Sequence, residues 1–149
     1  MSTSTRTAPQ RFAALAIRQG IALGALQSAS ARDFALVLAA AATVFAPERS
    51  YTEREVNERL RGFLAGAGAM LATDHVELRR WLVDFRVLER DGYGRAYARA
   101  VPGDDIALPA RELADIDLGA LARDARAADA ARRAERKARW QAGAGPKPE

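Results

Sequence analysis

The sequence predicts a mainly α-helical protein with three core helices, a two-stranded β-hairpin and a long C-terminal helix. Three observations lead to this fold class. One helix-capping pattern begins at Thr52 and a second begins at Asp74. An Asp-Gly pair at Asp91 then separates two short runs of strand-type residues, which is a strong hairpin signal. An Ala-rich segment with helical spacing follows Asp117.

The helix that begins after Thr52 has a complete set of sequence signals. The Thr52 hydroxyl and the Glu55 carboxylate are spaced for a capping box, in which each satisfies a free backbone N–H of the first turn. Its apolar stripe consists of Val56, Leu60, Phe63 and Leu64. Gly66 and Gly68 are expected to end the helix, because glycine most readily adopts a left-handed C-cap.

The helix that begins after Asp74 repeats the capping-box spacing with Glu77. Its buried stripe is Leu78, Leu82 and Phe85. Two strands should follow, Val87–Arg90 and Arg95–Arg99, joined by the turn at Asp91. Because side chains alternate along a strand, Tyr97 should share a face with Arg95 and Arg99.

Helix, helix and hairpin in this order are typical of a winged helix-turn-helix, whose second helix often enters the DNA major groove. The nearly all-apolar segment Asp33–Phe45, capped near Ser30, is expected to be the buried first helix of this core. The predicted core comprises Phe34, Leu38, Phe45, Val56, Leu60, Phe63, Leu78, Leu82 and Phe85.

Two motifs between Tyr51 and Tyr97 point to a known family. The first is Tyr51, Thr52, Glu53, Glu55, Val56 and Asn57, and the second is Asp74, Leu78, Arg79, Arg80 and Leu82, followed by Arg90, Asp91, Gly92 and Tyr97. Together they resemble the bacterial family known as domain of unknown function 2087. The resemblance implies a winged-helix-like domain, which in some members is joined to regulator-type helix-turn-helix domains. It supplies no catalytic or binding residues.

The net charge of +4 is confined to the end of the chain. Residues 1–119 contain fifteen basic and fifteen acidic side chains, whereas residues 120–149 contain eight and four. Residues 51–99 contain nine basic and eight acidic side chains. DNA-binding domains usually have a basic excess, because phosphate neutralisation supplies most nonspecific affinity. A near-neutral core therefore opposes DNA binding unless its charges are separated by face.

Arg79 and Arg80 are the leading candidates for DNA contact. In one interpretation, at least one of them bonds a guanine edge in the major groove. In the other, one is tied to Glu55 or Glu58 of the preceding helix while its neighbour is solvated. Adjacent helical residues point about 100° apart, so the two arginines cannot share one role. The remaining candidate DNA contacts are Arg86, Arg90, Tyr93, Arg95 and Arg99.

The predicted organisation continues on both sides of this core. We expect a disordered N-terminus over residues 1–10, the winged-helix-like domain over 11–100, a linker over 101–116, a basic helix over 117–141 and a flexible end over 142–149. The candidate tail contacts are Arg132, Arg133, Arg136, Lys137 and Arg139. This later half of the helix is a solvated end, a nucleic-acid arm, or a homodimer or partner helix anchored by Trp140.

No pattern of catalytic residues competes with these interpretations. The chain has no Cys, and its single His, His75, has no ligands at metal-site spacing. No Walker motif or nucleophile triad is present, so no cofactor, metal or enzymatic activity is expected. Without a signal peptide or a bilayer-length apolar run, the chain is predicted to be cytoplasmic. The predicted function is DNA binding in transcriptional regulation. The alternative is a protein-interaction or scaffold module that uses a winged-helix fold without binding DNA.

Overall fold

The computed structural model describes residues 6–93 and 95–143. Within them the protein is mainly helical, with 64% helix, seven helices and one small three-stranded antiparallel sheet, as the predicted fold class requires. The helices are α1 (Ala8–Ala16), α2 (Leu23–Ala29), α3 (Ala31–Ala42), α4 (Glu53–Ala65), α5 (His75–Asp84), α6 (Asp104–Leu113) and α7 (Leu118–Gly143), and the strands are β1 (Ser50–Thr52), β2 (Leu88–Arg90) and β3 (Ala96–Arg99).

Helix α3 is the centre of the fold. Every residue from Phe34 to Ala42 is buried, and α1, α2, α5 and α6 pack around it. The Ser30 hydroxyl accepts the Asp33 N–H at 3.1 Å, as predicted. The helix ends at Ala42, three residues earlier than predicted, because the N–H groups of the next turn bond to carbonyls three residues back.

The predicted core is confirmed. Its members are buried in one cluster, except that Phe85 is only partly buried against it. Leu78 and Leu82 are fully excluded from solvent. Phe85 and Trp81 instead flank Phe34, with each ring centroid 5.1 Å from that of Phe34 in an edge-to-face arrangement.

The helix caps follow the prediction closely, with two corrections. Thr52 and Glu55 form the full capping box, whereas at the second helix the Glu77 carboxylate accepts the Thr73 hydroxyl instead of a cap N–H. Gly66 caps α4 with φ −125°, so no left-handed residue ends this helix. Gly68 is needed for a close approach, because a Cβ there would lie 2.4 Å from the Phe63 ring.

The sheet has the strand order β1-β3-β2. The predicted hairpin is present, with Leu88 opposite Arg99 and Arg90 opposite Tyr97. Strand β1 was not predicted, and it pairs with the other edge of β3 so that Tyr51 faces Tyr97. Both tyrosines are buried, since this face of the sheet packs on the helices.

Two segments predicted to lack structure are helical. Helix α1 begins at Ala8, within the predicted disordered segment 1–10, because Thr7 and Gln10 form a capping box; residues 1–5 lie outside the described residues. Helix α6 occupies most of the predicted linker 101–116 and continues through Pro109. Its stripe Ile106, Ala110 and Leu113 is buried, so packing overrides the missing backbone N–H.

Helix α7 begins as predicted, with the Asp117 carboxylate accepting the Ala120 N–H at 3.0 Å. Leu118 and Ala122 are buried, and α1 is the main partner of this first half. Residues 131–143 are all exposed, which confirms the prediction that the later half projects. Of the predicted flexible end, residues 142 and 143 belong to α7 and the rest lies outside the described residues. Among the described residues, no helix is both long and apolar enough to cross a membrane.

Candidate nucleic-acid interface

Helix α5 presents a mixed surface to solvent. Leu78 and Leu82 face the core, so the opposite side of the helix is centred on Arg80. Val76, Glu77 and Asp84 are exposed around this arginine. The outward face of the predicted recognition helix therefore has one basic, two acidic and one apolar side chain.

Arg79 is held by α4. Its guanidinium donates a hydrogen bond to the Asn57 side-chain oxygen, and its Nη2 lies 3.9 Å from Glu53 Oε1. The Arg79 side chain is only 19% exposed. Tyr97 adds to this group, with its hydroxyl 3.4 Å from Glu53 Oε1. Of the two alternatives for the arginine pair, Arg79 is the internally tied member.

The partners of Arg79 differ from those predicted. Glu55 or Glu58 was the predicted partner, whereas the structure places Glu53 and Asn57 against this arginine. These two residues are four apart, so they share one face of α4. This spacing was visible in the sequence, but which face of α4 meets α5 depends on packing.

Three arginines from α5 and β2 line one surface depression of about 280 Å³. Its lining consists of Val76, Arg79, Arg80, Val83, Asp84, Arg90 and Tyr97. Arg80 and Arg90 are exposed and have no ion pair among the described residues. Asp84 is the acidic member of the lining. The depression therefore has a local basic excess that the charge balance of residues 51–99 does not reveal.

Arg90 also connects this depression to a second one beside the sheet, which Arg86 lines. Arg86 has a left-handed backbone, with φ 62°. Its N–H bonds to the Val83 carbonyl, and the next N–H, that of Val87, bonds to the Leu82 carbonyl. This is the Schellman arrangement that ends many helices, with arginine where glycine is usual.

The hairpin turn is held by Asp91 and presents an aromatic side chain. The Asp91 carboxylate accepts the Tyr93 N–H at 3.0 Å and the Arg95 N–H at 2.9 Å. Tyr93 is 85% exposed, and the Arg95 guanidinium lies 5.8 Å from its ring centroid. Arg99 belongs elsewhere, because it is half-buried and donates to the Phe45 carbonyl.

Two arginine sites were missed by the sequence analysis. Arg49 and Arg59 lie over the buried Tyr51 ring, with guanidinium carbons 4.7 and 4.9 Å from its centroid. Arg126 of α7 donates to the carbonyls of Ala16 and Gly66 at 3.0 and 3.1 Å. The Arg126 contacts have no local sequence signal, since they join elements that are distant in the chain.

The candidate tail residues all lie on the exposed half of α7. Arg132 and Arg133 share Asp129, at 3.6 and 2.7 Å, and Arg139 pairs with Glu135. Arg136 and Lys137 have no ion pair among the described residues, and Trp140 is 73% exposed.

Titratable groups form no metal site in the described part of the chain. No cluster of three or more His, Asp or Glu side chains is close enough to hold an ion. His75 Nε2 lies 3.4 Å from an Arg61 nitrogen.

The pKa of Glu55 is lowered, mainly because its carboxylate accepts a hydrogen bond from the Thr52 N–H. The Thr52 hydroxyl and the positive charges of Arg49 and Arg59 lower it further.

Residues 27–99 match the model of a family described as an uncharacterized protein conserved in bacteria (DUF2087). No curated protein and no solved structure matches the chain. The matched segment begins near the end of α2 and continues to the end of β3, so it includes α4, α5 and the whole sheet. Residues 27–99 are therefore similar to the bacterial family DUF2087, the family that the motifs between Tyr51 and Tyr97 resemble.

Proposed function

We propose that the segment from α3 to β3 is a winged helix-turn-helix that binds duplex DNA in transcriptional regulation, in the cytoplasm. The order α3, β1, α4, α5, β2 and β3 supports this assignment, because it supplies three core helices and a hairpin that follows the last of them. The protein is proposed to be non-catalytic, since binding requires only positioned cations and hydrogen-bond donors.

The observation that carries the proposal is the depression shared by Arg79, Arg80 and Arg90. Arg79 contributes positive charge to this depression, but its guanidinium is already bound to Asn57 and Glu53 of α4. Arg80 and Arg90 are exposed on either side of it and are available for phosphate oxygens. Arg86 lines the neighbouring depression that Arg90 shares, and Tyr93 and Arg95 are exposed at the hairpin turn. The proposed contacts are thus made by Arg80, on the outward face of α5, together with Arg90 and the hairpin.

The test is a salt-titrated binding assay with a mixed-sequence duplex and single arginine variants. Arg80→Ala and Arg90→Ala should each weaken binding and reduce the slope of log affinity against log salt by about 1. Arg111→Ala, on the distant α6, removes the same charge and should leave binding unchanged. If neither Arg80→Ala nor Arg90→Ala alters binding at low salt, the proposed interface is wrong.

A second candidate function, protein interaction, is favoured by the outward face of α5. Val76 is 40% exposed, and Glu77 and Asp84 would repel phosphate. A photoreactive side chain introduced at Val76 would distinguish the two functions in cells. Adducts of one defined protein mass would support the interaction module, whereas nucleic-acid adducts would support the DNA-binding proposal.

A further inference from the structure

The projecting half of α7 separates its charges by face. At about 100° per residue, its five cations and Trp140 fall within an arc of about 160°. These side chains are Arg132, Arg133, Arg136, Lys137, Arg139 and Trp140. The opposite side of the helix is formed by Ala131, Ala134, Glu135, Ala138, Gln141 and Ala142. Arg132 and Arg133 share Asp129 and Arg139 pairs with Glu135, whereas Arg136 and Lys137 have no ion pair among the described residues.

This cationic face continues the side of α7 that packs on the body of the protein. Around the helix axis, the centre of the cationic arc lies within about 20° of three residues of the first half, Leu118, Ala122 and Asp129. The face therefore points toward the body side, beyond the last residues that the body covers.

The base of the cationic face is anchored beside the turn between α4 and α5. Arg126 donates to the carbonyls of Gly66 and Ala67, at 3.1 and 3.4 Å. Beyond it, Arg133 lines a cleft of about 520 Å³ whose other wall includes Ala69 and Met70 of the same turn. A polyanion bound at this turn would be within reach of the projecting cations, since residues 131–143 span about 20 Å of helix.

We propose that this face of α7, residues 132–140, is a second phosphate-binding surface that contacts the DNA backbone beside the site on α5 and the hairpin. The proposal rests on the DNA-binding function proposed above. Charge complementarity identifies the occupant, because the only large apolar group on the face is Trp140. A membrane surface would require large apolar side chains on the opposite face, which is mostly alanine.

A charge-relocation variant of the full-length chain tests the face separately from the net charge. Three cations are changed to alanine and three alanines of the opposite face become cations. The substitutions are Arg132→Ala, Arg136→Ala, Lys137→Ala, Ala131→Arg, Ala134→Arg and Ala138→Lys. The amino-acid composition and the net charge stay the same, because three cations and three alanines only exchange positions. Ala, Arg and Lys all favour helix, so the circular dichroism spectrum should match that of the wild type.

The relocated protein should bind a mixed-sequence duplex about tenfold more weakly at about 0.1 M salt, with a salt slope smaller by about 2 to 3. Equal binding by the two proteins would mean that only net charge matters, and would overturn the proposal. Tighter binding of the wild type to phosphatidylglycerol vesicles than to the duplex would also overturn it.

The same assay separates this proposal from the function on which it rests. If Arg80→Ala and Arg90→Ala leave binding intact while relocation weakens it, the α7 surface stands and the α5–hairpin interface falls. If Arg80→Ala and Arg90→Ala weaken binding and relocation does not, the α5–hairpin interface stands and the α7 surface falls.

Discussion

At the scale of single residues, Arg86 is unusual, because among the described non-glycine residues only Arg86 and Glu48 have a positive φ. It occupies the left-handed residue that ends α5, where glycine avoids the steric cost of a Cβ. In this chain an arginine takes that position, and it lines the same depression as Arg90. Strained residues of this kind are frequent at functional sites, where the surrounding structure fixes them.

Arg86→Gly should raise the free energy of unfolding by up to about 1 kcal/mol, because it relieves the left-handed strain. Arg80→Gly is the matched control, since it places the same substitution inside the helix, where it should cost about 1 kcal/mol. Urea denaturation measures both. If the two variants are destabilised equally, the backbone at Arg86 carries no strain.

Glu55 gives the fold a defined response to acid. Its folded pKa is lowered, chiefly by the hydrogen bond from the Thr52 N–H, so its carboxylate stabilises the protein at pH values above its ordinary, unfolded pKa. That contribution is lost as the pH falls through the lowered value. Glu55→Gln can keep the hydrogen bond to Thr52 but cannot titrate.

Stability measured between about pH 6 and 3 should therefore fall less steeply for Glu55→Gln than for the wild type. Glu58→Gln, on the same helix, controls for the removal of one surface carboxylate. Identical pH profiles for the wild type and Glu55→Gln would contradict the assigned cause of the lowered pKa.

At the scale of secondary-structure elements, α5 connects the core to the proposed site. Leu78 and Leu82 fix the rotation of the helix, and this rotation places Arg80 outward and Arg79 against α4. A change in the buried stripe would consequently reorient the arginines. The stability of the core and the geometry of the site are coupled through this one helix.

Leu82→Ala should lower the free energy of unfolding by about 2–5 kcal/mol, because Leu82 is fully buried and a cavity would remain. Leu108→Ala, at a position 49% exposed on α6, should cost far less and serves as the control. Chemical denaturation compares the two. A loss below about 1 kcal/mol for Leu82→Ala would show that the core collapses around the change.

The elements predicted from the sequence are those with local signals. The caps at Thr52, Asp74 and Asp117 and the turn at Asp91 act within four residues, so they could be recognised without the fold. Strand β1 has only three residues, and its pairing with β3 spans more than forty residues of chain. Helix α6 depends on burial against α3, which outweighs its internal proline.

The residues of the candidate site likewise fall into two groups, those that could be named from the sequence and those whose contacts depend on the fold. Arg80 and Arg90 were both named from the sequence as candidate DNA contacts, and the structure places them at one depression. The roles of Asn57, Glu53 and Arg126 could not be predicted, because each contact depends on how distant elements pack. Helical spacing alone could not decide between Arg79 and Arg80.

At the scale of the whole molecule, Arg126 joins parts of the chain that are far apart in sequence. Its guanidinium donates to Ala16 at the end of α1 and to Gly66 and Ala67 after α4. All three acceptors are backbone carbonyls near helix ends, where intrahelical partners are missing. This one side chain thus ties α7 to the body at two places.

Arg126→Ala should let α7 open locally without unfolding the core. Amides in the first half of α7 should exchange with deuterium faster, while those of α3 keep their protection. Arg123→Ala, at a side chain 74% exposed on the same helix, is the matched control and should not change exchange. Equal protection of α7 in the Arg126 variant and the wild type would show that apolar packing alone holds the helix.

The position of this contact along the chain also sets an order for folding during synthesis. All carbonyl acceptors of Arg126 are translated before α7, whose 26 residues take roughly 1–5 s at typical rates. The mainly helical core, which is expected to fold within about microseconds to milliseconds, can therefore form while α1 still lacks its main partner. During this interval the apolar side of α1 is a surface for chaperones or for aggregation. A chain truncated after Leu113 should accordingly bind a hydrophobic dye that the full chain excludes.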